Sequence, residues 1–417
     1  MDRLKVLISA YTCEPGRGSE PGVGWNAARE AARYHDVWVV TRAHHRWAIE
    51  DELRRRPIPN LRVVDYELPR ITRRWAPQEW GVQLHYYLWQ VGVLSLVRRL
   101  HRDIRFDVAH HVTLVKYWQP TFLRWLDVPY VFGPVGGGDT SPVAFRRDLP
   151  WKGRLYEAIR NVAIWAGEHD PMVIAAARRS ALALAATPAT EERLRRLGAS
   201  RVEVCSAIAL SDKEQTLLQR LALPPQKPIR FITIGRLFHL KAVHLGLRAF
   251  AAAHLAGAEY WLVGDGPARV ELQRLAVELG ISKRIRFWGH LSRTETLEKL
   301  SMSHVLVHPS LHESGSYACL EALAAGRPVV CLDLAGPASL VSKECGIKVK
   351  ARTPGDAVAD MASAMRRLAG DAKLRHRLGE SGRARVSAEY RWRAKGRLFS
   401  TYYEQVANGE VRSEVVA

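Results

Sequence analysis

Short apolar segments alternate with longer amphipathic segments along most of the chain. The short segments are rich in Val and Ile, whereas the longer ones repeat their apolar positions with the spacing of a helix. This alternation predicts strands that are each followed by a helix. The predicted strands are LKVLISA, DVWVVTR, LRVVDYEL, DVAHHVT and PYVFGPVGGG in the first half, then RFITIGRL, AEYWLVGDG, RIRFWGH, HVLVHPS and PVVCLDL.

Strands separated by single helices predict parallel sheets that are covered by helices on both faces. Because the alternation occurs in two successive sets, we predict an α/β protein with two doubly wound domains. The first domain would occupy residues 1–220. The second would begin at residue 221, where the prolines of LALPPQKP at 221–228 interrupt both patterns. The length of 417 residues agrees with two domains, since it exceeds what one hydrophobic core usually serves.

The composition is that of an ordinary globular protein, with 47% hydrophobic and 25% charged residues. No run of about 18 uncharged apolar residues occurs, which argues against a membrane-spanning helix. The apolar run at the start is too short for the core of a signal peptide and is predicted to form the first strand. Five cysteines without a CxxC pair or a disulfide framework favour a reducing cytoplasm.

The charge balance is strongly basic, because 62 Lys and Arg residues against 42 Asp and Glu residues give a net charge of +20. We therefore expect an anionic partner for this protein. Net charge alone leaves nucleic acid, an acidic membrane surface and phosphorylated substrates open, since it governs association and not fold.

The loops that follow the predicted strands are the expected binding sites, because ligands of doubly wound sheets sit at the carboxyl ends of the strands. After the first strand, Gly22 and Gly24 immediately precede a predicted helix. Glycines at such a turn let backbone N–H groups and a helix N-terminus approach a phosphate or a sugar. A tight turn that needs positive φ explains them as well, and their spacing matches neither the Walker motif nor GxGxxG.

Two cations follow the first strand of the second predicted domain. Arg236 and Lys241 lie just beyond the strand end, where they could reach a diphosphate and neutralise the charge that grows as a bond to it breaks. Solvated surface is the usual place of Arg and Lys, but the position after a strand end favours a role in binding.

A pair of glutamates brackets the segment HESGSYACLEALAAGRPVV at 312–330. Glu313 and Glu321 enclose a run of small and hydroxylated residues that leads into an alanine-rich helix, which is predicted to end at Gly326. Free N–H groups at the start of that helix could meet a diphosphate. The alternative is that one glutamate is a solvated loop residue and the other a charge on the helix surface.

Together these motifs resemble the retaining glycosyltransferases of the GT-B fold, family 4, also called glycosyl transferases group 1. The resemblance rests on GRL with a lysine five residues after the arginine, then VGDGP, IRFWGHL, the two glutamates with seven residues between them, and EALAAGRPVV. It covers essentially the whole chain. CEPGRGSEPGVGW and FGPVGGG resemble a bacterial subgroup associated with cell-surface polysaccharide assembly. The family fold implies two facing doubly wound (Rossmann-like) domains with a cleft between them.

The resemblance implies a role for the residues that match the motifs. Glu313 would face the hydroxyls of the donor sugar, and Glu321 would accept hydrogen bonds from the nucleotide ribose. Arg236 and Lys241 would act as catalytic cations on the departing diphosphate. The other predicted donor-binding residues are Ser314, Gly315, Ser316, Tyr317, Gly22, Gly24, Gly235 and Gly264.

A retaining transferase needs no separate pair of carboxylates to activate water, unlike a glycosidase. The resemblance implies that the departing diphosphate itself assists removal of the acceptor proton on the same face of the sugar. The sequence has no DxD triplet, so we expect no metal and no other cofactor beside the nucleotide-sugar co-substrate. Departures from the common family pattern at Gly315–Ser316, at Ala242 and in GPASLV at 336–341 concern the shape of the donor pocket.

The N-terminal domain supplies further candidates at predicted strand ends. His110 and His111, in DVAHHVTLVKYW, could orient or stabilise the sugar phosphate and belong to the predicted catalytic set. Packed histidines hydrogen-bonded to the backbone are the alternative. Gly136, Gly137 and Gly138 are predicted to let the acceptor approach the backbone.

A basic and aromatic segment accounts for part of the excess charge, since residues 54–105 hold eleven arginines against four acidic residues. The interleaved aromatic residues are Trp75, Trp80, Tyr86, Tyr87 and Trp89. The apolar residues that recur at helical spacing before Arg98 and Arg99 are Leu84, Leu88, Val91 and Leu94. Such a helix can lie in an anionic membrane interface, or it can pack on its own domain with solvated arginines.

We therefore predict a metal-independent, retaining hexosyltransferase that moves a sugar from a nucleotide-sugar donor to a saccharide acceptor in exopolysaccharide or lipopolysaccharide assembly. We expect the acceptor to be lipid-linked, and the enzyme to lie in the cytoplasm, peripherally bound to the anionic inner face of the membrane. Residues 1–220 would bind the acceptor and 221–390 the donor. As in the family, 391–417 would fold back as a helix on the first domain.

Two other functions fit parts of the sequence. A sugar-nucleotide epimerase of the same fold would need no acceptor. A nucleic-acid-binding protein would use the basic face, but neither zinc-finger spacing nor an RRM signature occurs, so we expect no nucleic acid partner.

Overall fold

A computed structural model of the chain describes residues 3–69, 79–222, 224 and 226–409. The described chain forms two compact units. Unit 1 takes the described residues of Met1–Gly138, Asn161–Ile208 and Trp392–Ala417, and unit 2 takes those of Asp139–Arg160 and Ala209–Arg391.

The described residues form thirteen strands and seventeen α-helices. The strands are β1 (Lys5–Ala10), β2 (Asp36–Arg42), β3 (Leu61–Tyr66), β4 (Val108–Thr113), β5 (Tyr130–Val135), β6 (Leu182–Ala185), β7 (Val202–Val204), β8 (Arg230–Ile234), β9 (Glu259–Val263), β10 (Ile285–Gly289), β11 (Val305–His308), β12 (Val329–Leu332) and β13 (Gly346–Val349). The helices are α1 (Ser19–Ala31), α2 (Arg46–Arg55), α3 (Glu79–Gly92), α4 (Leu94–Ile104), α5 (Val143–Arg146), α6 (Trp151–Glu168), α7 (Pro171–Arg179), α8 (Pro188–Arg196), α9 (Asp212–Gln219), α10 (Val243–Ala252), α11 (Arg269–Glu278), α12 (Arg293–Ser301), α13 (Tyr317–Ala324), α14 (Ala335–Leu340), α15 (Pro354–Gly370), α16 (Ala372–Glu389) and α17 (Trp392–Ala407).

Unit 1 is built on a seven-stranded parallel sheet with the strand order β3-β2-β1-β4-β5-β6-β7. Its central strands β4 and β5 are buried along their whole length, as expected for a parallel sheet with both faces covered. The C-terminal helix α17 packs against α1 of this unit, where Gly396 lies against Glu30. The fourth strand lies on the other side of β1 from β2 and β3, so the chain reverses direction across the sheet between β1 and β4.

Unit 2 repeats this design with a six-stranded parallel sheet in the order β10-β9-β8-β11-β12-β13. Its reversal point lies between β8 and β11, which pair through Val305 with Phe231 and Leu306 with Ile232. Helices α10 and α15 pack on each other, and their apolar faces join the strands in one continuous core. Both units are doubly wound parallel sheets, so the predicted fold class is confirmed.

The division of the chain into units differs from the predicted boundary at 220/221. The segment Asp139–Arg160 groups with the C-terminal half of the chain in unit 2, and the later boundaries fall after Ile208 and after Arg391. Phe145 and Leu149 explain this grouping, because both are buried in the core of unit 2. Sequence periodicity could not have detected it, since the segment follows unit 1 strands along the chain.

The predicted helix of the basic segment is divided into α3 and α4 at Gly92, where a side chain would collide with the hydroxyl of Tyr66. Leu84, Leu88 and Val91 are exposed on α3. Two aromatic residues of the same predicted segment are not exposed, because Tyr86 and Trp89 are fully buried. Among the described residues, no helix has the length and apolar character that crossing a membrane requires.

Parts of three predictions concern residues outside those that the structure describes. These are residues 70–78 of the basic segment, which include Trp75, and the side chain of Trp80. They are also Leu223 and Pro225 of the predicted linker, and residues 410–417 of the predicted C-terminal helix.

Helix α1 begins at Ser19, so Gly22 and Gly24 lie within its first turns instead of preceding it. Both glycines allow close packing of the helix on the loop after β1. A side chain at Gly22 would collide with the carbonyl oxygen of Arg17, and one at Gly24 with that of Thr12. Close packing of the helix therefore explains why glycine stands at both positions. Their predicted role in binding the donor stays a prediction.

We expect Gly24→Ala to lower the melting temperature by a few degrees, because a methyl group forced against the Thr12 carbonyl costs about 1–3 kcal/mol of stability. The matched control is Gly370→Ala at the end of α15, where open space surrounds the added methyl group. Thermal unfolding of the two variants checks this, and equal melting temperatures would contradict the packing role of Gly24.

Candidate active site

The candidate site lies at the reversal point of the unit 2 sheet, where the carboxyl ends of β8 and β11 meet. Arg236 and Lys241 follow β8, whereas His308 ends β11 and Glu313 follows it. These segments surround a narrow gap that is too small to hold a water molecule. It is lined by Thr233, Ile234, Gly235, Arg236, Lys241, Val243, His308 and Pro309. The position agrees with the general rule that ligands of doubly wound sheets bind where the strand order reverses.

Two residues hold the carboxylate of Glu313, namely Lys241 and His308. Lys241 Nζ donates a hydrogen bond of 2.6 Å to Glu313 Oε2, and His308 Nε2 lies 2.9 Å from the same oxygen. Ser316 Oγ lies 3.3 Å from that histidine nitrogen. The structure thus brings together Lys241, Glu313 and Ser316, which the sequence predicted as site residues, and adds His308.

The Glu313 carboxylate is ionised at neutral pH. Burial raises its pKa, but the hydrogen bond and charge of His308 and the charge of Lys241 outweigh burial and hold the pKa at about 2. An ionised carboxylate is an acceptor only, and it accepts from hydroxyl groups more strongly than a neutral group does. Glu313 is therefore suited to bind a polyhydroxyl ligand such as a sugar.

The loop that carries Glu313 opens the helix α13, as the sequence predicts. Ser316 caps this helix by accepting a hydrogen bond of 3.3 Å from Cys319 N, and Tyr317 is its first residue. Ser314 and Gly315 precede the cap. Gly336 N donates to Glu313 O at 2.7 Å, so the segment at 336–341 supports this loop from the end of β12.

Glu321 lies on α13 and is buried, with its carboxylate paired to the guanidinium of Arg293. Burial raises the pKa of Glu321, and the neighbouring Arg293 only partly opposes that rise. Arg293 is half-exposed at the start of α12, after β10. Arg293 was not among the predicted site residues, although its position shortly after a strand could have indicated it.

The predicted donor-binding glycines Gly235 and Gly264 lie side by side at the ends of β8 and β9. Gly235 N donates to Val263 O at 2.9 Å, and Gly264 N donates to Gly289 O at 2.8 Å. Gly264 has φ +128°, and a side chain there would collide with the Gly235 carbonyl. Close backbone packing requires Gly264, whereas Gly235 is favoured by its backbone conformation, with φ +145°. Contact of either glycine with a donor stays a prediction.

The two predicted catalytic histidines of unit 1, His110 and His111, are buried in strand β4. His110 Nδ1 lies 2.6 Å from Tyr403 Oη, and burial lowers the pKa of His110 to about 3. His111 Nε2 lies 3.1 Å from Leu114 O, and burial lowers its pKa to about 4. These are the contacts of packed, neutral histidines, which is the alternative that the sequence left open. A catalytic role for either one stays a prediction.

Gly136, Gly137 and Gly138 follow β5 at the carboxyl edge of the unit 1 sheet. Gly136 N donates to Val115 O at 2.8 Å, and Gly138 N lies 3.2 Å from Thr190 Oγ1. Gly136 thus lies next to the loop after β4, and Gly138 lies next to helix α8 of the same unit. Their predicted contact with the acceptor stays a prediction.

Comparison with known proteins identifies the family to which the unit 2 sequence is similar. Residues 215–385 match the family model of the glycosyl transferases group 1. The chain is 28% identical over 370 residues to the 2-deoxystreptamine glucosyltransferase of Streptomyces kanamyceticus, which covers 85% of this chain and 92% of that protein. It is 32% identical over 207 residues to the lipopolysaccharide core biosynthesis glycosyltransferase LpsE of Rhizobium meliloti, covering 49% of this chain and 58% of that one. The chain therefore matches less than two thirds of the length of LpsE.

A solved structure from E. coli, described as trehalose-6-phosphate bound with UDP-2-fluoro glucose, is similar with a TM-score of 0.65 and 13% identity. The similarity covers 96% of this chain and 99% of that chain. At this identity it shows the fold alone, which is the predicted GT-B fold with two parallel-sheet α/β domains. The region that holds Arg236, Lys241, Glu313 and Glu321 is thus the part of the chain that matches the glycosyl transferases group 1.

Proposed function

We propose that the protein is a retaining glycosyltransferase that moves a sugar from a nucleotide-sugar donor to a saccharide acceptor. The observation that carries the proposal is the ionised Glu313, held by Lys241 and His308 at the reversal point of the unit 2 sheet. This group lies inside the region that matches the glycosyl transferases group 1. Relatives with transferase names support the reaction class.

The charges of the site suit a nucleotide diphosphate with a sugar attached. In our proposal Glu313 accepts hydrogen bonds from sugar hydroxyls, while Arg236 and Lys241 stabilise the charge that develops on the departing diphosphate. These two cations would supply the stabilisation without a metal ion. The departing diphosphate would then assist removal of the acceptor proton on the face from which it leaves, which retains the configuration of the sugar.

We further propose a lipid-linked saccharide as the acceptor, in lipopolysaccharide or exopolysaccharide assembly at the inner face of the cytoplasmic membrane. The name of the LpsE relative places that protein in lipopolysaccharide core biosynthesis. The net charge of +20 favours association with an anionic surface. Peripheral binding to the membrane would bring the enzyme to such an acceptor.

The proposal predicts that one of UDP, GDP or ADP raises the melting temperature, because a ligand that binds only the folded state stabilises it. Glu321→Ala should weaken binding of that nucleotide roughly 10- to 100-fold, because the ribose hydroxyls would lose a charge-assisted hydrogen-bond acceptor. Glu278→Ala is the control, because this glutamate is exposed on α11 of the same unit. A titration of the thermal shift measures the affinities.

Two results would count against these assignments. No shift with any of the nucleotides, or with their glucose derivatives, would overturn the proposed donor class. A greater loss of free-diphosphate binding in Glu313→Gln than in Glu321→Ala would reverse the roles of the two glutamates, because the free diphosphate contains the ribose but no sugar.

A further inference from the structure

Helix α6 carries an apolar face that the protein leaves exposed. We call it the α6 apolar face, and its members expose 51–65% of their surface. They are Trp151, Leu155, Ile159, Val162 and Trp165. A contiguous set of large apolar side chains in solvent indicates a surface that contacts another partner, because scattered single residues are ordinary but a continuous row is not.

The spacing of these residues places them on one side of the helix. At about 100° per residue, the five side chains fall within an arc of about 120°. Lys152 and Arg154 project at the two edges of that arc, and both are exposed. The helix has 18 residues and is therefore about 27 Å long. An apolar face with one cation at each edge of its first turn is compatible with a helix that lies in a membrane interface.

The acidic residues of α6 are turned towards the protein. Glu157 is buried, and its Oε1 lies 3.0 Å from His312 Nε2. Glu168 accepts a hydrogen bond of 2.7 Å from Tyr117 Oη and pairs with Arg193. No acidic residue of α6 is thus exposed, which makes its exposed side complementary to anionic headgroups above acyl chains.

We propose that the α6 apolar face inserts shallowly into an anionic bilayer, with α6 parallel to the membrane plane. The tryptophans near both ends of the face suit the headgroup level, and Lys152 and Arg154 can reach lipid phosphates while their stems cover apolar surface. This inference rests on the proposed function, because an enzyme with a lipid-linked acceptor has to work at the membrane surface. It assigns the contact to a helix that the basic segment at 54–105 does not include.

The inner side of α6 contacts the segments that form the candidate site of unit 2. Tyr156 packs on His239 with ring centroids 5.4 Å apart, and Gly153 lies against the same histidine. Glu157 binds His312, the residue directly before Glu313. One helix therefore bears the lipid-contacting face on one side and supports the loop of Glu313 on the other. Binding at the bilayer would hold that loop close to a membrane-embedded acceptor.

Sedimentation with vesicles tests the proposal, using phosphatidylcholine vesicles with and without phosphatidylglycerol. The full chain should bind the mixed vesicles and be released by salt. Leu155→Ser/Ile159→Ser should lower the partition coefficient about tenfold, because two exposed apolar side chains no longer enter the interface. Its matched control is Val270→Ser/Val277→Ser, which removes two exposed valines from α11.

Charge reversal is the second arm of the test. Lys152→Glu/Arg154→Glu should lower binding to the mixed vesicles at least about fivefold for each cation lost. Lys283→Glu/Arg286→Glu, on the exposed surface of unit 2, should change it far less. All four variants should keep the thermal shift that the wild type shows with its nucleotide, since none of these side chains lines the candidate site.

Three outcomes would overturn the α6 assignment. The first is wild-type binding to neither kind of vesicle. The second is α6 variants that bind as well as the wild type while Arg98→Glu/Arg99→Glu alone abolishes binding, which would assign the contact to α4. The third is a wild-type dimer that Leu155→Ser/Ile159→Ser converts to a monomer in light scattering, which would make the face an interface between copies. The nucleotide thermal shift decides the proposed function separately, so failure of one proposal is distinguishable from failure of the other.

Discussion

Glu313→Gln should lower kcat/KM for sugar transfer roughly 10²-fold, because hydrogen bonds to an ionised acceptor are worth about 1.5–3 kcal/mol and the amide is a weaker acceptor. The substitution keeps the size of the side chain. It also replaces the group that Lys241 and His308 contact with a neutral one. Steady-state kinetics with the nucleotide sugar that gives the largest thermal shift measures the loss.

The control for this variant is Glu278→Gln, an isosteric change of an exposed glutamate on α11. Both proteins must first show the unfolding transition of the wild type. Near-normal transfer by Glu313→Gln would mean that its charge does not act on the donor sugar. The pair formed with Lys241 would then have only a structural role.

Arg236→Ala and Lys241→Ala should each lower kcat more than they raise the donor KM, by roughly 10²- to 10³-fold. The physical reason is that charge on the bridging phosphate oxygen grows as the glycosidic bond breaks. Cations held there stabilise the transition state more than the bound donor. Measuring both constants separates this effect from a uniform loss of binding. Lys283→Ala, an exposed lysine of the same unit, is the control.

EDTA supplies an independent check on the cations, since a metal-independent enzyme should keep its activity in its presence. Added Mg²⁺ should not restore Arg236→Ala or Lys241→Ala, because the sequence offers no DxD triplet as a prepared site. A wild type that EDTA inactivates, or two alanine variants with near-normal kcat, would assign leaving-group stabilisation to other groups.

The losses of activity caused by Lys241→Ala and Glu313→Gln should not be additive. The two side chains are in direct contact at 2.6 Å, and residues in one ion-pair network couple. Removing Lys241 leaves Glu313 with His308 alone, so part of the loss in Lys241→Ala would come from a displaced carboxylate. A double-mutant comparison with Lys241→Ala/Glu313→Gln would show how much of each loss is shared.

The candidate site could be predicted in part because its members stand at fixed places in a repeating pattern. Arg236 and Lys241 follow a strand, and Glu313 follows the strand that pairs with it. Their meeting at one edge follows from the parallel sheet, since the carboxyl ends of parallel strands lie together. His308 lay within the predicted strand HVLVHPS, but nothing local indicated that its ring would contact Glu313. Arg293 escaped notice because its partner, Glu321, is 28 residues away and meets it only in the folded unit.

The amino-acid sequence by itself determined the order of strands and helices, because the period of apolar positions is a local property that each segment carries. It also determined the charge and the identity of the loop residues at the strand ends. Only the tertiary structure decided which apolar faces are covered. His110 and His111, for example, are fully buried in strand β4. The segment 139–160 likewise belongs to unit 2, because its apolar residues pack in the core of that unit.

The exposed face of α6 illustrates the same limit most clearly. Trp151, Leu155 and Ile159 have the spacing of a helix that packs on a core, so the sequence cannot distinguish them from core residues. In the folded chain the opposite side of α6, with Gly153 and Glu157, packs on the protein instead. The physical reason is that burial depends on which neighbours the rest of the chain supplies, and the period of a single helix contains no information about those neighbours.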